Sequence, residues 1–69
     1  MHEIYLRAEY IKLGQAMKAA GLVASGLDAK NLICDGKVKV NGEIEYQRGK
    51  KLYNGDIVEY DEEEIKILK

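Results

Sequence analysis

The chain has 69 residues, of which 46% are hydrophobic, 33% are charged and none is proline, a composition that fits one folded domain over residues 1–69 and excludes a disordered chain. No apolar run approaches the roughly 20 residues of a membrane span, the N-terminus lacks the apolar core of a signal peptide, and a core worth about 3–5 kcal/mol leaves little room for a deep pocket; neither a membrane nor a small-molecule substrate is expected. Cys34 is the only cysteine, so an internal disulfide is excluded and a cytoplasmic location is the simplest expectation.

From the N-terminus, His2 to Tyr10 alternates, with Ile4, Leu6 and Ala8 on one side and Tyr5, Arg7 and Glu9 on the other, the period of a half-buried strand. Leu13, Ala16, Met17 and Ala20 predict a short helix that Gly21 ends. A second helix opens at Ser25, with Asp28 three residues on as a capping partner. Ala29, Leu32 and Ile33 line its inner face, Lys30 and Asn31 lie outside that stripe, and Gly36 stops it. Val38 and Val40 then alternate with Lys37 and Lys39 before Asn41-Gly42, the strongest short hairpin signal in the chain. Glu43 to Gln47 returns as a strand into a basic turn, Arg48-Gly49-Lys50-Lys51, and Asn54-Gly55-Asp56 marks a further turn. Ile57 to Tyr60 and Ile65 to Leu68 read as two strands around a charged tip, Asp61 to Glu64. The fold class is α+β: two short helices packed on a small, mainly antiparallel sheet. A monomer is expected, with self-association open only if Ile65 to Leu68 is an exposed edge.

The net charge of −1 averages an uneven distribution. Residues 12–51 hold eight Lys or Arg against four acids, a net of +4, whereas residues 52–69 hold two lysines against six acids, a net of −4. A chain polarised in this way can offer one side to an anion although its total is near zero. No Ser/His/Asp set, phosphate-cradling glycine loop, paired-cysteine zinc site or calcium loop occurs, so neither enzymatic activity nor a metal or other cofactor is expected. His2 has no obvious metal partner or nucleophile near it, and Cys34 at a helix end reads as buried. The five tyrosines read first as packing residues; Tyr46, near Arg48, has a second use as a stacking surface for an unpaired base.

Gly36-Lys37-Val38-Lys39-Val40-Asn41-Gly42, the later Gly55-Asp56-Ile57-Val58, and Ser25, Ala29, Lys30 and Ile33 on the second helix together resemble the RNA-binding domain named after small-subunit ribosomal protein S-four, the alpha-L motif. Tyr10 to Gln15 and Arg48 to Leu52 are similar to the small stand-alone bacterial members of the YaaA and YbcJ type. The resemblance implies non-catalytic binding of structured RNA, ribosomal or transfer RNA, with a ribosomal subunit as the implied partner and ribosome assembly or translation as the implied process. Carried over position by position, it implies Lys30 on the helix, Lys37 and Lys39 on the strand, and Arg48, Lys50 and Lys51 in the loop, joined by Lys18 on the first helix. Gly26 and Leu27 follow Ser25 where many members have an arginine, and lysine replaces the usual arginine at position 30. Lysine lacks arginine's planar fork, which favours recognition of shape over readout of sequence. The competing expectation is a protein-interaction adaptor docking through the acidic C-terminal hairpin. DNA binding by the paired helices lacks a supporting third helix, and a ubiquitin-like sulfur carrier would need a terminal Gly-Gly where Leu68-Lys69 stands.

Overall fold

The computed structural model describes residues 2–69. Strand β1 (His2–Tyr5) leads through a bend to β2 (Ile11–Lys12), which runs directly into helix α1 (Leu13–Ala19), and a short link joins α1 to α2 (Gly26–Cys34). Five strands follow: β3 (Lys39–Val40), β4 (Glu43–Ile44), β5 (Lys51–Leu52), β6 (Ile57–Tyr60) and β7 (Glu63–Leu68).

Both helices are closed by glycine at the residue after the cap. The Gly21 and Leu22 N–H groups donate to the Lys18 and Met17 carbonyls, and the Gly36 and Lys37 N–H groups donate to those of Ile33 and Leu32, at 3.1–3.2 Å. These paired bonds are the Schellman arrangement, which needs a left-handed residue; φ is +78° at Gly21 and +75° at Gly36. At its start α2 is capped as expected, the Ser25 hydroxyl accepting from the Asp28 N–H at 3.2 Å. The Asn41-Gly42 turn has φ of +53° and +85°, the type I′ geometry that suits a two-residue hairpin.

The main sheet has the order β1-β7-β6-β3-β4, and β2 and β5 form a separate two-stranded ribbon. Pairing is antiparallel throughout except for β1 with β7, which run parallel with His2 opposite Ile65 and Ile4 opposite Ile67. Leu13, Ala16 and Met17 of α1 and Ala29 and Ile33 of α2 are buried against Val38, Val40, Val58, Ile65, Ile67 and Leu52. The helices thus cover one face of the sheet and leave the other to solvent.

Several boundaries differ from the sequence reading. The first strand stops at Tyr5, because its partner β7 runs out: the Leu6 N–H makes a last bond to the Leu68 carbonyl at 2.6 Å, and Ala8 is exposed. The return strand is only Glu43–Ile44. The acidic tip is two residues, Asp61 and Glu62, with Glu63 and Glu64 already in β7. Because β7 lies between β1 and β6, Ile65 to Leu68 offers no free edge; the edges are β1 and β4. Cys34 is exposed, since α2 turns Ala29 and Ile33 inward and the next position is rotated about 100° away. His2 Nε2 lies 3.1 Å from Glu63 Oε2, a contact between neighbouring strands β1 and β7 that leaves the sequence reading of His2 unchanged. Of the tyrosines only Tyr60 packs against the core; Tyr5, Tyr10, Tyr46 and Tyr53 are exposed, Tyr5 on the outward side of β1 and the other three in the segments that flank β2, β4 and β5.

Candidate nucleic-acid interface

The first N–H groups of any helix lack partners within the helix. In α1 the basic turn supplies them. The Leu13 N–H donates to the Lys50 carbonyl at 2.9 Å and the Gly14 N–H to the Arg48 carbonyl at 3.0 Å. The turn closes on itself through the Lys50 N–H and the Gln47 carbonyl at 3.1 Å, while the Lys12 N–H is taken by Gln15 Oε1 at 3.2 Å. A loop whose carbonyls cap a helix is held in place. Arg48 is therefore presented beside α1 with little conformational freedom left in its backbone.

This docking builds a shallow groove lined by Lys12, Gly14, Gln15, Gly26, Arg48 and Gly49. Three of these six are glycines, so the groove floor is largely backbone, and the two cationic side chains stand at its walls. Gly14 is the point where the loop and α2 meet α1: a Cβ there would lie 3.7 Å from Arg48 Cβ and 3.8 Å from Ala29 Cβ, ordinary contact distances. The ribbon extends the same surface, since Lys12 of β2 is directly opposite Lys51 of β5.

The seven residues expected from the sequence do not share one place. Arg48 is in the groove wall and Lys51 faces Lys12 across the ribbon. Lys50 lines a neighbouring recess with Asn41, Glu43, Ile44 and Glu45. Lys30 is exposed on α2, and Lys18 is exposed in the last turn of α1. Lys37 and Lys39 instead line a recess with Glu59 and the acidic residues Asp61 to Glu64, and Lys39 is the cross-strand partner of Glu59. Lys12 was missed by the sequence reading, although it stands one residue before the helix and inside a stretch of evident resemblance. Its only other signal is pairing with Lys51, which two-residue strands do not advertise.

Among the described residues the sole contact at ion-pair distance is His2 with Glu63. Lys12, Lys18, Lys30, Lys37, Lys39, Arg48, Lys50 and Lys51 are all exposed and none lies at ion-pair distance from a carboxylate; Lys37, Lys39 and Lys50 share recesses with acids, whereas the groove of Lys12 and Arg48 has none in its lining. Cations left unpaired beside a concave, backbone-floored surface suit phosphate groups, which draw much of their affinity from lysine and arginine. No group of three or more metal-ligating side chains occurs among the described residues, and no described helix is long and apolar enough to cross a membrane.

Residues 4–68 match a family model described as the S4 domain. The chain is 45% identical over 56 residues to the Bacillus subtilis (strain 168) protein named "Probable ribosome maturation protein RlbA", a match covering 81% of this chain and 79% of that one. It also superposes on the solution structure of YbcJ from E. coli with a TM-score of 0.76 and 27% identity, over 100% of this chain and 89% of that one. That structure is described as revealing an alfaL motif involved in RNA-binding.

Proposed function

Because this chain belongs to the S4 domain family, we propose that it is a non-catalytic module that binds structured RNA and acts on ribosomal RNA or a ribosome-assembly intermediate, and therefore in the cytoplasm. The target class comes from the B. subtilis relative, named for ribosome maturation, and from YbcJ, whose motif is described as RNA-binding. The observation that carries the reading in this chain is the basic loop clamped onto α1, which sets Lys12 and Arg48 in one groove, with Lys51 opposite Lys12 on the ribbon and none of the three at ion-pair distance from a carboxylate.

A-form RNA hides its base edges in a narrow major groove and is gripped by phosphates, 2′-hydroxyls and shape. Lysines on a short helix and a docked loop serve that purpose, and the single domain acts as a monomer. With about five phosphates neutralised, log affinity falls with log salt at a slope of roughly −4. The test is binding to total ribosomal RNA, transfer RNA and duplex DNA across a salt series, with the Lys30→Glu/Lys51→Glu double variant alongside. Preference for one structured RNA, with a steep salt slope lost in the variant, supports the module. Weak and equal binding to all three, unchanged in the variant, overturns it in favour of a protein partner.

A further inference from the structure

The β2–β5 ribbon places four side chains on one outward face. In the antiparallel register Ile11 is opposite Leu52 and Lys12 is opposite Lys51. Leu52 is buried and Ile11 is half-buried against the core, so the alternate positions, Lys12 and Lys51 and then Tyr10 and Tyr53, face solvent. The tyrosine rings stand together, their centroids 6.1 Å apart and their planes at 52°. Lys51 Nζ lies 4.8 Å from the centre of the Tyr10 ring.

Two features of this face are unfavourable in water. Like charges directly opposite across an antiparallel pair destabilise it, and Lys12 and Lys51 have no acid between them. Tyr10 and Tyr53 are 38% and 49% exposed, far from the burial that aromatic rings usually reach. An anion between the lysines would remove the first cost, and a flat π-surface on the open ring would remove the second. Lys51 occupies part of Tyr10, so the open stacking surface is Tyr53. Cations and rings are thus adjacent on one face, Lys12 and Lys51 being one position along each strand-pair face from Tyr10 and Tyr53, an arrangement that suits a nucleotide's phosphate and base.

We infer that the ribbon is a stacking platform for a single unpaired nucleotide of a structured RNA, with Tyr53 under the base, Tyr10 buttressing Tyr53, and Lys12 and Lys51 on the flanking phosphate. This rests on the RNA-binding reading and deepens it, because it names a bulged or looped-out base, and not continuous duplex, as the element recognised. Tyr46 is not part of this platform: its ring lies against Gly36, on the β3–β4 side.

The experiment uses two RNA hairpins that differ only in one bulged 2-aminopurine, titrated with the whole chain at several salt concentrations. The bulged hairpin is expected to bind about five- to tenfold more tightly, the low end of what one stacked base contributes, and its fluorescence is quenched on binding. Tyr53→Leu abolishes both the preference and the quench while its affinity for the fully paired hairpin stays within about twofold of wild type; Tyr53→Phe retains both. Unchanged thermal midpoints in the two variants separate stacking from loss of structure. Equal affinities of the wild-type chain for both hairpins, with a steep salt slope, overturn the platform and leave RNA binding standing. Absence of salt-dependent binding to either hairpin overturns the underlying reading as well.

Discussion

Asn41 and Asp56, fifteen residues apart in sequence, clasp each other across the base of the sheet. Asn41 Nδ2 donates to Asp56 Oδ1 at 3.0 Å, Asn41 Oδ1 accepts from the Ile57 N–H at 2.9 Å, and Asp56 Oδ2 accepts from the Tyr53 N–H at 2.7 Å. The Asn-Gly and Gly-Asp pairs that stand out in the sequence are thus one device. The turn that ends β3 is tied to the turn that starts β6, which fixes the β3–β6 register and leaves Tyr53 anchored where β5 ends.

Loss of that clasp is measurable apart from the turn itself. Asn41→Gly keeps a residue that accepts φ of +53° but removes the side chain, and is expected to cost about 1 kcal/mol in denaturant unfolding. Asp56→Ala loses the Tyr53 bond as well and costs about 1–2 kcal/mol. Combined, the two fall short of additivity by at least about 0.5 kcal/mol, because they share one bond. A strictly additive pair would show that the two side chains act independently.

Separation of the lysines into two neighbourhoods makes a second prediction. Lys12→Gln/Lys51→Gln removes cations that have no acidic neighbour, so RNA affinity drops at least about tenfold at low salt and the log–log salt slope falls by nearly 2. Lys37→Gln/Lys39→Gln removes cations already offset by Glu59 and the acidic tip, and changes affinity by no more than about threefold. Equal losses from the two pairs, measured by titration of the same RNA, would place the binding surface across both faces.

How much of this was legible follows from how local each signal is. The second helix, its serine cap and its glycine stop were readable because cap, stripe and stop lie within a dozen residues of one another, and so was the Asn41-Gly42 turn. The parallel pairing of β1 with β7 joins residues more than sixty apart in sequence, and no periodicity reports it. Strands β2 and β5, two residues each, are too short to alternate, so the platform and the place of Lys12 were invisible. Counting charge along the chain grouped Lys37 and Lys39 with the other cations. Only the cross-strand register shows that Glu59 stands opposite Lys39.

The two glycines at helix contacts respond in opposite directions. Gly14 sits within α1, and an added Cβ meets its neighbours at 3.7 Å or more. Gly14→Ala therefore gains helix propensity without a clash and stabilises by about 0.5–1 kcal/mol. Gly36 has φ of +75°, and its Cβ would come within 3.3 Å of the Tyr46 ring. Gly36→Ala is expected to cost about 1–2 kcal/mol. Thermal or denaturant unfolding of the pair decides it; destabilisation by Gly14→Ala would mean that the loop seats more tightly on α1 than these distances allow.

Cys34 gives a probe of which face meets RNA. It follows Lys30 by four residues on α2, so the two occupy one exposed stripe. The thiol of the free protein is expected to react fully with a maleimide under native conditions. Saturating RNA slows that reaction at least about fivefold if the α2 stripe lies in the interface, and Lys30→Glu removes the protection along with the binding. An unchanged rate in the presence of bound RNA would confine the interface to the groove and the ribbon.

The hairpin tip carries strain that the sequence does not need for folding. Asp61 and Glu62 both have positive φ, +50° and +66°, and β6 and β7 pair up to Tyr60 opposite Glu63, leaving a two-residue loop of the kind that favours Asn-Gly. A left-handed conformation costs a residue with a Cβ roughly 1 kcal/mol, and among the described residues the Glu62 side chain makes no hydrogen bond to offset it. Asp61→Asn/Glu62→Gly should therefore raise stability by about 1 kcal/mol and remove two negative charges from the acidic end. Because no residue of that end lines the groove, affinity for RNA at moderate salt should change by less than about twofold. A variant that is stabilised but loses RNA binding would assign the acidic tip a part in recognition that neither its charge nor its position predicts. Unchanged stability would instead show that the tip relaxes to a different turn in solution.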